Sequence, residues 1–155
     1  MKINKDFEDF FKILNKNKVQ YLVVGGYAVI YYSEPIATKD IDIFINPTKK
    51  NSEKVYKSIK EFFGVSIKDL SKHDFAKPGI IYQIGISPNR IDILNKIKGI
   101  SFKKAWKNKK FFKYGKEKVW VIGKEDLIKN KKLLKREQDI LHLKKLKVYN
   151  LNFKK

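Results

Sequence analysis

The chain has 155 residues, 43% of them hydrophobic and 14% aromatic, which suits one ordinary folded domain and excludes a disordered chain. Cysteine is absent, so a disulfide framework and thiolate metal sites are excluded; no run approaches about 18 apolar residues, and residues 1–10 lack a signal-peptide core. Lys and Arg number 36 against 16 Asp and Glu, and the resulting charge of +20 favours an anionic partner, tRNA or another nucleic acid first, with compositional drift toward Lys as the alternative source.

Residues 4–14 carry Phe7, Phe10, Phe11 and Leu14 at helical spacing and predict an amphipathic helix. Tyr21–Val24 has the length and composition of a strand; it turns sharply at Gly25-Gly26 into a short helix over 27–32. A loop marked by Ser33, Glu34 and Pro35 leads to a second strand over 40–45. There Asp40 and Asp42 alternate with Ile41, Ile43 and Ile45, so the two acids share one face with Cα atoms about 6.5–7 Å apart. Like charges on one strand face oppose stability, and they make sense when a cation sits between them.

Asn46-Pro47-Thr48 starts a helix whose face is traced by Val55, Tyr56, Ile59, Phe62 and Phe63, with Gly64 as its stop. Residues 65–78 lack a period and read as a loop with a short helical turn, in which His73 is a surface residue. The run 80–86 is a strand, Ser87-Pro88-Asn89 a tight turn, and 90–94 the hairpin partner. Asp92 lies between Ile91 and Ile93 in that partner. If it runs beside 40–45, at a strand spacing of about 4.8 Å, three carboxylates converge and can share two divalent ions.

Ile97, Ile100, Phe102 and Trp106 anchor an amphipathic stretch over 96–110, and 111–114 with 118–122 form a second hairpin around Gly115-Lys116-Glu117. Residues 124–146 form the closing helical region, as one helix or two. Lys131 shares a face with Leu127 and Leu134, and a lysine on an inward stripe calls for an anion. Arg90 and Arg136 are arginines in a chain that otherwise uses Lys. Each calls for the planar fork of a guanidinium, on a phosphate or on a carboxylate; Asp139 or Glu137 is the carboxylate available to Arg136.

Gly25-Gly26, Asp40-Ile41-Asp42-Ile43 and Arg90-Ile91-Asp92, continued by Gly99-Ile100-Ser101-Phe102, Val121-Ile122, 127–131 and 136–139, resemble the nucleotidyltransferase fold superfamily related to DNA polymerase beta. Within it the chain is most similar to minimal bacterial nucleotidyltransferases and AbiEii-type toxin nucleotidyltransferases, over residues 19–146. One departure is Gly26, where many members carry Ser and its phosphate-contacting hydroxyl.

The resemblance implies an α+β fold, a mixed sheet flanked by helices with a helical C-terminal region, in one domain over 1–155. It implies an Mg2+-dependent enzyme (Mn2+ is the other candidate) that moves a nucleoside monophosphate from an NTP, ATP among them, to an acceptor hydroxyl with release of pyrophosphate. Asp40, Asp42 and Asp92 would be its metal ligands and catalytic residues, with Asp92 as general base, and Gly25, Gly26, Thr38, Lys131 and Arg136 its nucleotide-binding residues. The acceptors left open are tRNA, a partner protein in a toxin–antitoxin pair, and an antibiotic. A non-catalytic, antitoxin-like binding module is the reading from a different class. A cytoplasmic location is expected, with no membrane partner.

Overall fold

The computed structural model describes residues 2–36, 38 and 40–153, with 148–153 described by backbone alone. Helix α1 (Lys5–Lys16) starts where the Asn4 side chain accepts hydrogen bonds from the amides of Asp6 and Phe7, and its Phe7, Phe10, Phe11 and Leu14 stripe is buried. Strand β1 (Tyr21–Val24) runs straight into α2 (Gly25–Tyr32) without an intervening loop. Strand β2 (Ile41–Ile45) and helix α3 (Lys49–Phe63) follow, then a 3-10 turn at Asp74–Ala76. The chain continues as β3 (Ile81–Ile84), β4 (Ile91–Leu94), α4 (Phe102–Lys107), β5 (Lys110–Tyr114), β6 (Glu117–Val121), α5 (Lys124–Leu134) and α6 (Glu137–Phe153). Among the described residues no helix is long and apolar enough to cross a membrane.

The strands make one mixed sheet in the order β3-β4-β2-β1-β6-β5. Pairs β2–β4 and β1–β6 are parallel, and the other neighbours are antiparallel. Strand alternation sorts its side chains onto two faces. Tyr21, Val23, Ile43, Ile45, Ile91 and Ile93 share the face covered by α1, where Phe11 stacks on Tyr21 with ring centroids 5.8 Å apart. Leu22, Val24, Asp42, Phe44 and Asp92 share the other, where Phe102 of α4 meets Phe44 edge-on at 5.1 Å. Both acids of the central strands therefore sit on one face while their isoleucine neighbours fill the core behind them.

Several elements differ from expectation for local reasons. Asp40 and Arg90 fall just outside β2 and β4, because the Arg90 amide donates to the Asp40 side chain while the Arg90 carbonyl accepts from the Ile41 amide. Phe63 is 45% exposed, since the buried stripe of α3 runs through Ser52, Val55 and Ile59 and has turned away by the last residue. Of the stretch 96–110 only Phe102–Lys107 is helical. The closing region is two helices. Lys135 takes a left-handed conformation (φ 57°) that ends α5, and Asp139 then reaches back to accept the Arg136 amide, capping α6.

Candidate active site

Gly25 closes β1 at φ 66°, a conformation that favours glycine, and a Cβ there would collide with the Asp42 carboxylate. At Gly26 a Cβ would lie 2.6 Å from Thr38 Oγ1. The glycine pair thus lets the start of α2 lie directly against Asp42 and Thr38. Among the described residues no side chain caps that helix start, and a helix start of this kind presents its first amide groups to an anion.

Asp42 and Asp92 are direct partners across the parallel β2–β4 pair, and Asp40 stands at the entrance to β2. All three line one cleft of about 640 Å3, together with Gly26, Thr38, Arg90 and Arg136. A smaller adjoining hollow shares Asp42, Asp92 and Arg136 and adds Gly25 and Lys131. Every residue expected at the site therefore faces this one region of the molecule.

Their partners refine the expectation. The Arg90 guanidinium grips Asp92 with both arms, Nε at 2.7 Å and Nη2 at 3.1 Å, and also reaches Asp40 at 3.2 Å. Asp40 further accepts the Ser87 hydroxyl at 2.7 Å. Among the described residues no three His, Cys, Asp or Glu side chains gather closely enough to hold a metal ion as they stand. The positive charge among these acids is a guanidinium, and a divalent ion on Asp40 and Asp92 requires Arg90 to turn away. In kind the donors suit Mg2+ or Mn2+: hard carboxylate oxygens without His or Cys.

Among the described residues no cation pairs directly with Asp42. Burial, then the neighbouring Asp92 and Asp40, push its pKa up to about 6, although Lys131 and Arg136 pull the other way.

Lys131 does face inward, at 2% exposure, but an anion of the chain itself meets it: Nζ lies 2.9 Å from Asp139 Oδ1. Asp139 is fully buried and also accepts Arg136 Nε at 2.7 Å. Burial alone would raise the Asp139 pKa; the hydrogen bonds from Arg136 and Lys131 outweigh it and hold it at about 2. The lysine predicted to wait for a triphosphate is thus tied into a Lys131–Asp139–Arg136 network behind the acids.

Sequence reasoning missed Gln138, Leu141, His142 and Lys145, which supply the α6 wall of the cleft. Among the described residues the His142 Nδ1 is buried without a hydrogen-bond partner, and burial followed by the charge of Lys131 lowers its pKa. The available signal was the helical spacing from Asp139 to His142. His73 lies outside the cleft, half-exposed and 3.7 Å from Glu53.

A glycine turn opening a helix beneath paired strand carboxylates, on a mixed sheet flanked by helices, defines the nucleotidyltransferase class of fold. Residues 3–155 match the family described as nucleotidyl transferase of unknown function (DUF2204), and the chain belongs to it. It is an enzyme of the nucleotidyltransferase type.

Solved structures of similar fold include a protein of Thermotoga maritima assigned to the nucleotidyltransferases, 18% identical, covering 91% of this chain and 89% of its own, at a TM-score of 0.58. A second is an antigenic nucleotidyltransferase-like protein from Paracoccidioides brasiliensis, 14% identical over 91% of this chain and 74% of its own, at 0.56. A third is the lincosamide antibiotic adenylyltransferase LnuA with lincomycin bound, 18% identical over 93% of this chain and 96% of its own, at 0.54. The comparison with curated proteins gave no match.

Proposed function

We propose that the chain transfers a nucleoside monophosphate from an NTP to a hydroxyl group of a nucleic acid, tRNA being the first candidate. The observation that carries this reading is the Asp42–Asp92 pair, two carboxylates in direct register beside a glycine turn that only a small backbone allows. Nothing in the packing of the sheet needs two acids there, and burial together with the neighbouring Asp92 holds the Asp42 pKa raised. Asp40, Asp42 and Asp92 would hold divalent metal, Mg2+ or Mn2+, after Arg90 releases Asp40 and Asp92. When bound, the metal supplies charge neutralisation at the triphosphate and acidifies the attacking hydroxyl.

The chain's own groups do the rest. The amides at Gly25 and Gly26 and the Thr38 hydroxyl hold the phosphates, and Arg136, 56% exposed at its side chain, offers its outer edge to them. Lys131 acts one step removed, by fixing Asp139 and through it Arg136. The acceptor oxygen bonds to the α-phosphorus, the bond from that phosphorus to the bridging oxygen of the β-phosphate breaks, and pyrophosphate leaves. Asp92 takes the acceptor proton. The charge of +20 supports an anionic acceptor over a cationic antibiotic.

The test is incubation with each α-32P-labelled NTP and Mg2+ in the presence of total tRNA, a protein lysate or a lincosamide. Label on tRNA that vanishes with EDTA and with Asp42→Asn is the expected result. Label on a protein would support a toxin–antitoxin role instead, label on the lincosamide an antibiotic acceptor, and no label anywhere a non-catalytic binding module.

A further inference from the structure

A second cavity, of about 550 Å3, is lined by Asn15, Lys18, Lys54, Trp106, Lys118 and Trp120, with no carboxylate among its lining residues. Residue alternation explains how it forms. Trp120 and Lys118 of β6 point to the same sheet face as Leu22 and Phe44, and α4, short as it is, covers only part of that face. Trp106 of α4 meets Trp120 edge-on, ring centroids 6.0 Å apart, and Phe111 of β5, 50% exposed, lies opposite Trp120 in the hairpin.

Ammonium groups cover these rings. Lys109 Nζ lies 4.1 Å from the Trp106 centroid, and Lys118 Nζ lies 4.3 Å from that of Phe111 and 4.5 Å from that of Trp120. Large half-exposed aromatic faces lying under lysine ammonium groups, one of them (Lys109) also donating to the Trp106 carbonyl at 3.2 Å, in a hollow edged by further lysines, suit a ligand that is flat, aromatic and anionic at regular intervals.

We propose that this aromatic–lysine cleft binds single-stranded nucleic acid, with bases stacked on Trp106, Trp120 and Phe111 and phosphates on Lys18, Lys54 and Lys118. Lys109 and Lys118 cover the rings in the free protein and move onto phosphates as bases take their places. The cleft holds none of the residues assigned to transfer. Its purpose, to hold a strand whose end reaches the acids, rests on the proposed nucleic-acid acceptor, but the binding itself does not.

Trp106 and Trp120 are the tryptophans of the chain, so intrinsic tryptophan emission reports on this cleft alone. The experiment titrates full-length Asp42→Asn protein with a fluorescein-labelled single-stranded 12-mer RNA for anisotropy and with the unlabelled strand for tryptophan quenching. Binding with quenching is expected. Lys54→Glu and Lys118→Glu each weaken binding and lower the slope of log affinity against log salt by about 1 or more. Phe111→Ala, at an exposed position, weakens it about tenfold with little change in the salt slope.

Circular dichroism keeps folding separate from binding. Absence of binding at low salt, binding that leaves tryptophan emission unchanged, or Lys54→Glu and Lys118→Glu proteins that bind as the parent does would each overturn the proposal. Transfer to RNA is measured separately on the unmutated protein. Transfer without quenching therefore sinks the cleft alone, and quenching without transfer sinks the acceptor reading alone.

Discussion

Asp42 is the acid that the fold leaves most in need of a cation, and its titration gives a signed prediction. Its pKa rises from 3.8 to about 6 on folding, so the folded state binds the proton more tightly than the unfolded one. Stability of the metal-free protein therefore falls as pH rises from about 4 to about 6, by up to about 3 kcal/mol, and levels off above that window. Asp42→Asn should remove this loss: urea melts at pH 7 in EDTA give a variant more stable than the parent, while labelled-NTP transfer disappears. Asp139 has the opposite sign. Its pKa of about 2 contributes on the order of 2 kcal/mol that is lost only as pH drops below about 4, so the two windows do not overlap. Lys131→Met leaves Asp139 buried with Arg136 as its remaining cation, and a loss of about 3 kcal/mol is expected in the same melts at pH 7. At Gly26 the Thr38 side chain already stands where an added Cβ would project. Gly26→Ser should cost about 1–3 kcal/mol, and Thr38→Ala in the same chain should recover most of it.

At the level of elements, the join between α5 and α6 holds the site's cationic wall in place. Lys135 ends α5 in a left-handed conformation that costs a non-glycine residue about 1 kcal/mol or more, and the Asp139 side chain starts α6 from inside the site. Lys135→Gly is expected to raise stability by about 1 kcal/mol without altering transfer, as read by thermal melts and the labelled-NTP assay together. The β1–α2 junction works in the opposite direction. Gly25 gives the strand a direct turn into the helix and lets the helix start pack against the Asp42 side chain, so any side chain there displaces a catalytic candidate as well as straining the turn.

For the molecule as a whole, the charge of +20 dominates over its ion pairs, most of which lie between exposed or half-exposed side chains and contribute little. Self-repulsion then exceeds surface pairing. Raising salt from about 0.01 to about 0.15 M shortens the screening length from about 30 to about 8 Å, and the melting temperature should rise. A fall would mean that the surface pairs matter more than the net charge. The same screening weakens RNA binding, so stability and affinity are expected to move in opposite directions with salt.

The sequence by itself determined the local pieces: the amphipathic α1, the Tyr21–Val24 strand with its glycine turn, the alternation that puts Asp42 opposite the isoleucines, and the hairpin that carries Asp92. Each is written in residues within one or two turns or strand pairs of one another, where periodicity and turn chemistry act directly. Only the tertiary structure decided which charges meet. Lys131 finds Asp139 because Lys135 folds α6 back against α5, and Arg90 spans Asp40 and Asp92 because β4 lies parallel to β2. The aromatic cleft joins Trp106, Trp120 and Lys54 from three separate elements. A lone inward lysine, an isolated arginine or a tryptophan between lysines fixes a demand for a partner. The identity of that partner is set by long-range strand order and helix packing, which no local period encodes.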